Sequence, residues 1–302
     1  MAVLLHGYIS ERLANSRMRL AKIYDKISSD YYDFDVSNII GQALQTALSI
    51  IKQTDFFQTS SVNNYAKNIE VIDLGIGDGR FLELFQQKFP MAQLTGLDIS
   101  AKMLALAQKK INFTPIKSGI LQASRYLPSH KFDLATASFV CAYVGADNIL
   151  KLANHILKPE GFVCITTSTF EAFPDVQRQI RQFVRNQNPL KRYFGTHIQQ
   201  ALKKTLVPEN QKALIENAEI FGYKVITCQK LITKVCFEDA NDFIEKGVRS
   251  GYFASIFEHS FIPPKIIKLF TKLLVRTLDL PFHDHAVVEV ILLQKNSNNP
   301  HQ

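Results

Sequence analysis

Between residues 69 and 169 the chain alternates short apolar runs with longer stretches of helical periodicity, and this alternation limits the possible fold more than any other feature. "IEVIDL" (69–74) is short, bounded by glycine, and reads as a buried strand. "GRFLELFQQKF" (79–89) follows, with Phe81, Leu82, Phe85 and Phe89 on one helical face. "AQLTGLDI" (92–99) reads as a second strand, and Ser100 is placed to cap the helix "AKMLALAQKKI". "FDLATASFV" (132–140) and "GFVCITTST" (161–169) are two more strands, separated by the helical "ADNILKLANHIL" (146–157) that ends at Lys158-Pro159. Strands alternating with helices predict a mostly parallel sheet covered on both faces.

Further along, "NQKALIENAEIFGYKVITCQKLITKV" predicts a helix, a stop at Gly222 and a long strand. "HAVVEVILLQK" (285–295) predicts the last strand, followed by a polar tail. The first 65 residues carry apolar stripes through Ile23, Ile27, Leu44, Leu48 and Ile51 and are expected to be helical. Two stretches break the alternation and are expected to pack above the sheet. One is basic and interrupted by Pro174, Pro189 and Pro208; the other has amphipathic patterns around Phe243–Val248 and Ile266–Leu278.

With 302 residues, 46% apolar and 21% charged, the chain has the composition of a soluble globular protein, one large α/β domain with additions or two modest domains. No apolar run approaches the length that crosses a bilayer. The start "MAVLLHGYISER" lacks a basic leader and a small-residue cleavage site, so no signal peptide and a cytoplasmic location are expected. Cys141, Cys164, Cys228 and Cys236 show no metal-type spacing and are expected as buried, reduced thiols, with no metal. The net charge of +8 is unevenly placed. Between Val176 and Pro208 stand Arg178, Arg181, Arg185, Lys191, Arg192, Lys203 and Lys204, with no acid among them. Such a block forms either a solvated helix face or a surface for an anionic partner.

The turn after the first strand, Gly75-Ile76-Gly77-Asp78-Gly79, permits a tight bend and close approach of a ligand to the backbone. It does not match a dinucleotide fingerprint, which needs glycine or alanine where Arg80 stands, nor a phosphate-binding P-loop. Asp73, ahead of the turn, would repel a pyrophosphate but attract a ligand with an ammonium and a sulfonium. Asp98, ending the next strand, is placed for the two hydroxyls of a ribose. A ribose, no phosphate and a cationic amino-acid end together describe S-adenosylmethionine.

These residues resemble the class I S-adenosylmethionine-dependent methyltransferases. The family's acidic-x-Gly-x-Gly-x-Gly pattern is met by Asp73, Gly75, Gly77 and Gly79, and its acidic ribose ligand by Asp98 in "TGLDIS". Its "LKPGG" appears as "LKPEG" (157–161), and "LPSHKFDLATASFV" resembles the lead into its fourth strand. The resemblance implies an α/β fold, a seven-stranded mostly parallel Rossmann-like sheet with a helical N-terminal cap and helical insertions. The expected organisation is a cap (1–65), a cofactor-binding core (66–170), a basic lid insertion (171–208), a core helix and strand (209–236), a helical insertion (237–284), and the last strand with its tail (285–302).

One departure stands out. Where the family often places an aspartate for the adenine amino group, this chain has Gly119-Ile120. Adenine is then expected to rest on backbone groups and on Ile99, Ile120 and Leu121, with help from Gln122, in a partly open loop. "AKIYDKISSDYYDFD" also resembles the entry segment of quinone C-methyltransferases and of biotin-pathway carrier-protein O-methyltransferases, which implies that Tyr24 and Tyr32 lie over the methionine end of the cofactor.

No side chain identifies itself as a catalytic base; His283, His285 and Tyr143 are the candidates. His283 and His285 flank Asp284 ahead of the last strand, while Tyr143 follows the fourth strand with Phe139 and Cys141. Asp133 reads as a structural turn residue. The expected function is methyl transfer to a small molecule or a carrier-bound acyl group, the acceptor being anionic if the basic block meets it. Nucleic-acid methylation is the alternative enzyme reading. Against it, "SFVCAYV" (138–144) replaces the Asn/Asp-Pro-Pro-aromatic signature of amine transfer, and no RNA-binding module is visible. A cofactor-binding protein without catalysis is the third reading.

Overall fold

The computed structural model describes residues 20–25, 35–62, 69–239, 241–243 and 281–297. Seven strands form one sheet: β1 (Glu70–Leu74), β2 (Gln93–Asp98), β3 (Thr114–Lys117), β4 (Phe132–Ser138), β5 (Leu157–Ser168), β6 (Tyr223–Phe237) and β7 (Phe282–Lys295). Their spatial order is β3-β2-β1-β4-β5-β7-β6. The first five are mutually parallel; β7 runs antiparallel to both β5 and β6. The order reverses between β1 and β4, so the crevice beyond their carboxyl ends is where an open α/β sheet receives a ligand.

Helices cover both faces. On one lie α1 (Ile39–Lys52), α2 (Asp55–Val62) and α3 (Arg80–Lys88), packed with Val71, Leu134, Cys164 and Val290. Between β2 and β3 runs α4 (Ala101–Ala107). On the other face lie the 3-10 helix Ile120–Arg125, α5 (Ala146–Ile156) and later α8 (Gln211–Ile220), around Ile72, Ala135, Val163 and Ile291. Period-two alternation along the strands sends successive side chains to opposite layers: Val71 joins the first cluster, Ile72 the second.

The structure corrects part of the expected cap. Ile39, Ile40, Ala43, Leu44, Ala47, Ile50 and Ile51 of α1 are buried in the sheet's own core. This helix therefore forms a layer of the core, because an apolar stripe that wide finds its burial against β5 and β7. The basic stretch forms two helices, α6 (Pro174–Val184) and α7 (Pro189–Lys204). Its base is closed where the Phe170 N–H donates to the Pro208 carbonyl at 3.0 Å. Val176 and Ile180 of α6 are buried in the same layer as α1, so this excursion extends the core. Strand β5 begins at Leu157 and so takes in "LKPEG", and β7 begins at Phe282, three residues before the expected start. Of the 237–284 insertion, residues 240 and 244–280 lie outside the described residues.

Phe57 of α2 is fully buried among the rings of Phe56, Phe85, Phe89 and Phe162, with centroids 4.9 to 6.1 Å away. This ring cluster fastens α2 and α3 to β5. Phe57→Ala is expected to remove about 3–5 kcal/mol of stability through lost burial and the cavity left behind. Urea unfolding of the two proteins checks this: a midpoint unchanged from wild type would mean that α2 adds nothing to the core.

Candidate active site

The carboxyl ends of β1, β2 and β4 open on a cleft enclosing about 650 Å³, its mouth included. Gly75, Gly77, Asp98, Ile99, Gly119 and Ile120 form one side; Ser138, Phe139, Val140, Tyr143 and Val144 form the other, with Leu20 and Tyr24 above.

The turn after β1 is bent by three glycines at φ +88°, +56° and +86° (Gly75, Gly77, Gly79). The Gly75 and Ile76 N–H groups donate to the Leu97 carbonyl at 2.7 and 2.9 Å, folding the turn over the end of β2. A Cβ on Gly75 would stand 2.4 Å from Cγ1 of Val140, so this glycine keeps the β1 and β4 sides of the cleft in close approach. Gly79 does another job. A Cβ there would meet Cβ of Ala107 at 2.9 Å, so Gly79 packs against the end of α4 and does not line the cleft.

Asp98 is buried yet faces the cleft. Its Oδ2 accepts the Gly77 N–H at 2.9 Å and its Oδ1 the Ser100 N–H at 2.8 Å. A carboxylate has about four acceptor directions, so capacity remains toward the cleft. Burial pushes its pKa up to about 6, against the pull of the backbone N–H groups. Asp73 lies deeper. It is 2% exposed, does not line the cleft, and its Oδ1 accepts the Thr136 hydroxyl at 2.8 Å across the β1–β4 pairing. Burial raises its pKa to about 7; the Thr136 hydrogen bond opposes the rise and the Asp98 charge adds to it. The expected contact partner is thus a carboxylate beneath the turn. Asp78 of the same turn pairs with Lys110.

The roof comes from far away in sequence. The Tyr24 and Tyr143 hydroxyls are hydrogen-bonded at 2.8 Å, their rings edge-on at 6.0 Å. The adjacent Asp25 carboxylate accepts the hydroxyl hydrogen of Ser100, the residue that caps α4 by accepting the Met103 N–H at 3.1 Å. Phe139 adopts a left-handed φ of +58°, a costly conformation for a side chain of that size, and its N–H donates to the Thr166 carbonyl at 2.7 Å.

Several expected site residues lie elsewhere. Leu121 is 42% exposed and absent from the cleft lining, because the 3-10 turn points it outward. Ile120 is not in an open loop: it is packed in the core with Leu74, Leu97 and Ala123 and presents one edge to the cleft. His283 is exposed and His285 half-buried, and neither lines the cleft. Asp284 between them is buried and accepts the Asp175 and Val176 N–H groups at 3.3 and 2.9 Å, capping the start of α6. Asp133 accepts the Glu70 N–H and Lys158 Nζ, a structural role as expected. Tyr32 lies outside the described residues. Cys141 and Cys164 are buried, with the Cys141 thiol pushed up to about 12 by burial, whereas Cys228 and Cys236 are only partly buried. Ser118, Gly119, Ser138 and Val140 were not expected in the cleft; all lie at strand ends, which is the signal that could have found them.

A parallel sheet reversing at β1/β4, a glycine turn and an acidic residue ending β2 are the features of a class I S-adenosylmethionine-dependent methyltransferase domain. Residues 71–161 match the family model described as a methyltransferase domain. A malonyl-[acyl-carrier protein] O-methyltransferase of Priestia megaterium is 24% identical over 156 residues, 49% of this chain and 57% of that one. A trans-aconitate 2-methyltransferase of Acidovorax sp. is 35% identical over 77 residues, 25% of this chain and 30% of that one. The YcgJ protein of Bacillus subtilis shares the fold with a TM-score of 0.51 at 14% identity, over 84% of this chain and 100% of that one. The chain spans about half the length of the first curated relatives it matches, 48% and 57%.

Because Ile120 is a core wall, Ile120→Asp is expected to cost about 3 kcal/mol or more by burying a carboxylate among apolar neighbours. Denaturant melts without any ligand test this, with Ile120→Val as the mild control at about 1 kcal/mol. A fully stable Asp variant would show that the 3-10 turn opens freely.

Proposed function

We propose that the protein transfers a methyl group from S-adenosylmethionine to a small molecule or carrier-bound acyl group, most readily a carboxylate or another acceptor already nucleophilic. The observation that carries this reading is the convergence of Asp98, the glycine turn and the phenol pair on one roofed cleft. The residues suit that cofactor. The Asp98 carboxylate, held from behind by two N–H groups, offers lone pairs to ribose hydroxyls. Gly75 and Gly77 leave room for the methionine portion, with Asp73 and Asp98 giving a negative potential beneath the cation. Ile99 and Ile120 flank the place for adenine.

The bound cofactor supplies an electrophilic methyl on a sulfonium, which an acceptor lone pair displaces in line. The chain's part is positioning and exclusion of water. Phe139, Tyr143, Val144 and Leu20 make the acceptor side apolar, and Tyr24 closes it by its bond to Tyr143. No imidazole, amine or thiol is among the described lining residues, which fits an acceptor that brings its own lone pair.

Asp98→Ala is expected to remove charge-assisted hydrogen bonds of about 1.5–3 kcal/mol, weakening S-adenosylmethionine binding some ten- to a hundredfold. Calorimetry that found unchanged affinity would refute the assignment.

The pH dependence has a definite sign. In the ligand-free protein Asp73 and Asp98 hold protons up to about pH 7 and 6, above the ordinary 3.8. Their contribution to folding stability is therefore full below the ordinary carboxylate range and declines as pH rises through the folded values. A cation in the cleft favours the ionised forms, so binding should release protons and tighten from pH 5 to 7.5. Calorimetry in buffers of differing ionisation enthalpy measures that release directly; proton uptake on binding would contradict the arrangement.

A further inference from the structure

Helices α6 and α7 are packed against each other and joined by the turn 185–188. Four cations gather at this turn: Arg181 in the last turn of α6, Arg185 just beyond it, and Lys191 and Arg192 in the first turn of α7. Arg178, one turn earlier, is ion-paired with Asp175 at 2.5 Å and stands apart from them. Among the described residues none of the four has an acidic partner, and the chain has no acid between Val176 and Pro208. Arg181 and Arg185 complement the dipole at the end of α6, but Lys191 and Arg192 oppose it at the start of α7. Lys191 Nζ lies 5.6 Å from the centroid of the Phe183 ring, and Arg192 has no acidic partner among the described residues. At the start of α7, Leu190 is 57% exposed, and Tyr193, its ring centroid 4.1 Å from that of His197, is 55% exposed.

We propose that this turn docks on an anionic lipid surface, with Leu190 and Tyr193 entering the headgroup layer and Arg181, Arg185, Lys191 and Arg192 meeting lipid phosphates. Aliphatic and tyrosine side chains set among Lys and Arg make the pattern of an interfacial anchor. Two apolar side chains among cations offer too little dry area for the core of a protein interface, whereas a headgroup layer accepts single side chains. Attachment would be peripheral, since no described helix is long and apolar enough to cross a membrane. None of these side chains lines the cleft, so the docking and methyl-transfer readings stand or fall separately.

The test is sedimentation of the full chain with vesicles of phosphatidylcholine alone, or of phosphatidylcholine and phosphatidylglycerol in equal parts. The expected result is binding to the anionic vesicles only, weakening steeply as salt is raised. Arg185→Glu/Arg192→Glu should lower the partition coefficient at least about thirtyfold, at roughly fivefold per cation removed. Leu190→Ser/Tyr193→Ser should lower it about tenfold while leaving the salt dependence in place. S-Adenosylmethionine titrations serve as the fold control and should match wild type. No binding to anionic vesicles at low salt, equal binding to both vesicle types, or indifference to charge reversal would each overturn the proposal. Retention on an immobilised acidic carrier protein without vesicle binding would also overturn it, assigning the patch to a protein partner. The wild-type salt series decides the matter even if a variant misfolds.

Discussion

The Asp98 carboxylate is bound on both oxygens by backbone N–H groups that belong to different elements, Gly77 of the glycine turn and Ser100 at the head of α4. One side chain therefore fixes the turn after β1 relative to the end of β2. Through Ser100 the same point reaches further, because the Ser100 hydroxyl donates to Asp25 and accepts from Met103. The N-terminal residues 20–25, the cap of α4 and the floor of the cleft thus share a connected set of hydrogen bonds. A buried carboxylate is costly unless it is satisfied, and here satisfaction is what shapes the site.

Asp73 extends this electrostatic arrangement without touching the cleft. Two buried carboxylates stand on neighbouring parallel strands, and the Asp98 charge adds to burial in raising the pKa of Asp73. Thr136 supplies a neutral donor that keeps Asp73 oriented. In a region of low dielectric such a pair has an unfavourable charged state that a nearby cation relieves. That is why a carboxylate at the mouth of a glycine turn is compatible with ligand binding. On the proposed reading the ligand over this turn is positive, and the phosphate-cradling logic of similar glycine runs does not apply to it.

Much of the frame was legible in the sequence because it rests on periodicity and turn chemistry. Strands β1, β2, β4 and β5 came from short apolar runs, and Asp98 and Gly77 from their spacing relative to those runs. Several readings failed, and one strand went unread, for physical reasons. The α1 stripe predicts a helix but not which surface buries it; its width matches the sheet. Gly79 and Gly75 look alike in sequence, yet one faces Ala107 and the other Val140. The His283-Asp284-His285 triplet invites a catalytic reading, while Asp284 caps a helix starting 110 residues earlier, at Pro174. Strand β3 is mostly exposed, so it leaves little apolar pattern to detect.

The division between what could and could not be read follows the construction of the cleft. One side stands on the ends of adjacent parallel strands, where ladder register ties position to spacing: Asp73 opposes Gly96 and Thr136 by pairing alone. Its facing wall is made by Phe139, Val140 and Tyr143 beyond β4, and by Leu20 and Tyr24, the latter 119 residues away from Tyr143. No register links those pieces. They meet because Phe139 takes a left-handed turn, secured by the Thr166 carbonyl, and because two phenols find each other across the opening. Loops and termini positioned by a rigid sheet are where specificity resides. The same sheet can therefore keep the geometry of its strand ends while the facing wall changes, and the wall's identity must be read from contacts, not from spacing.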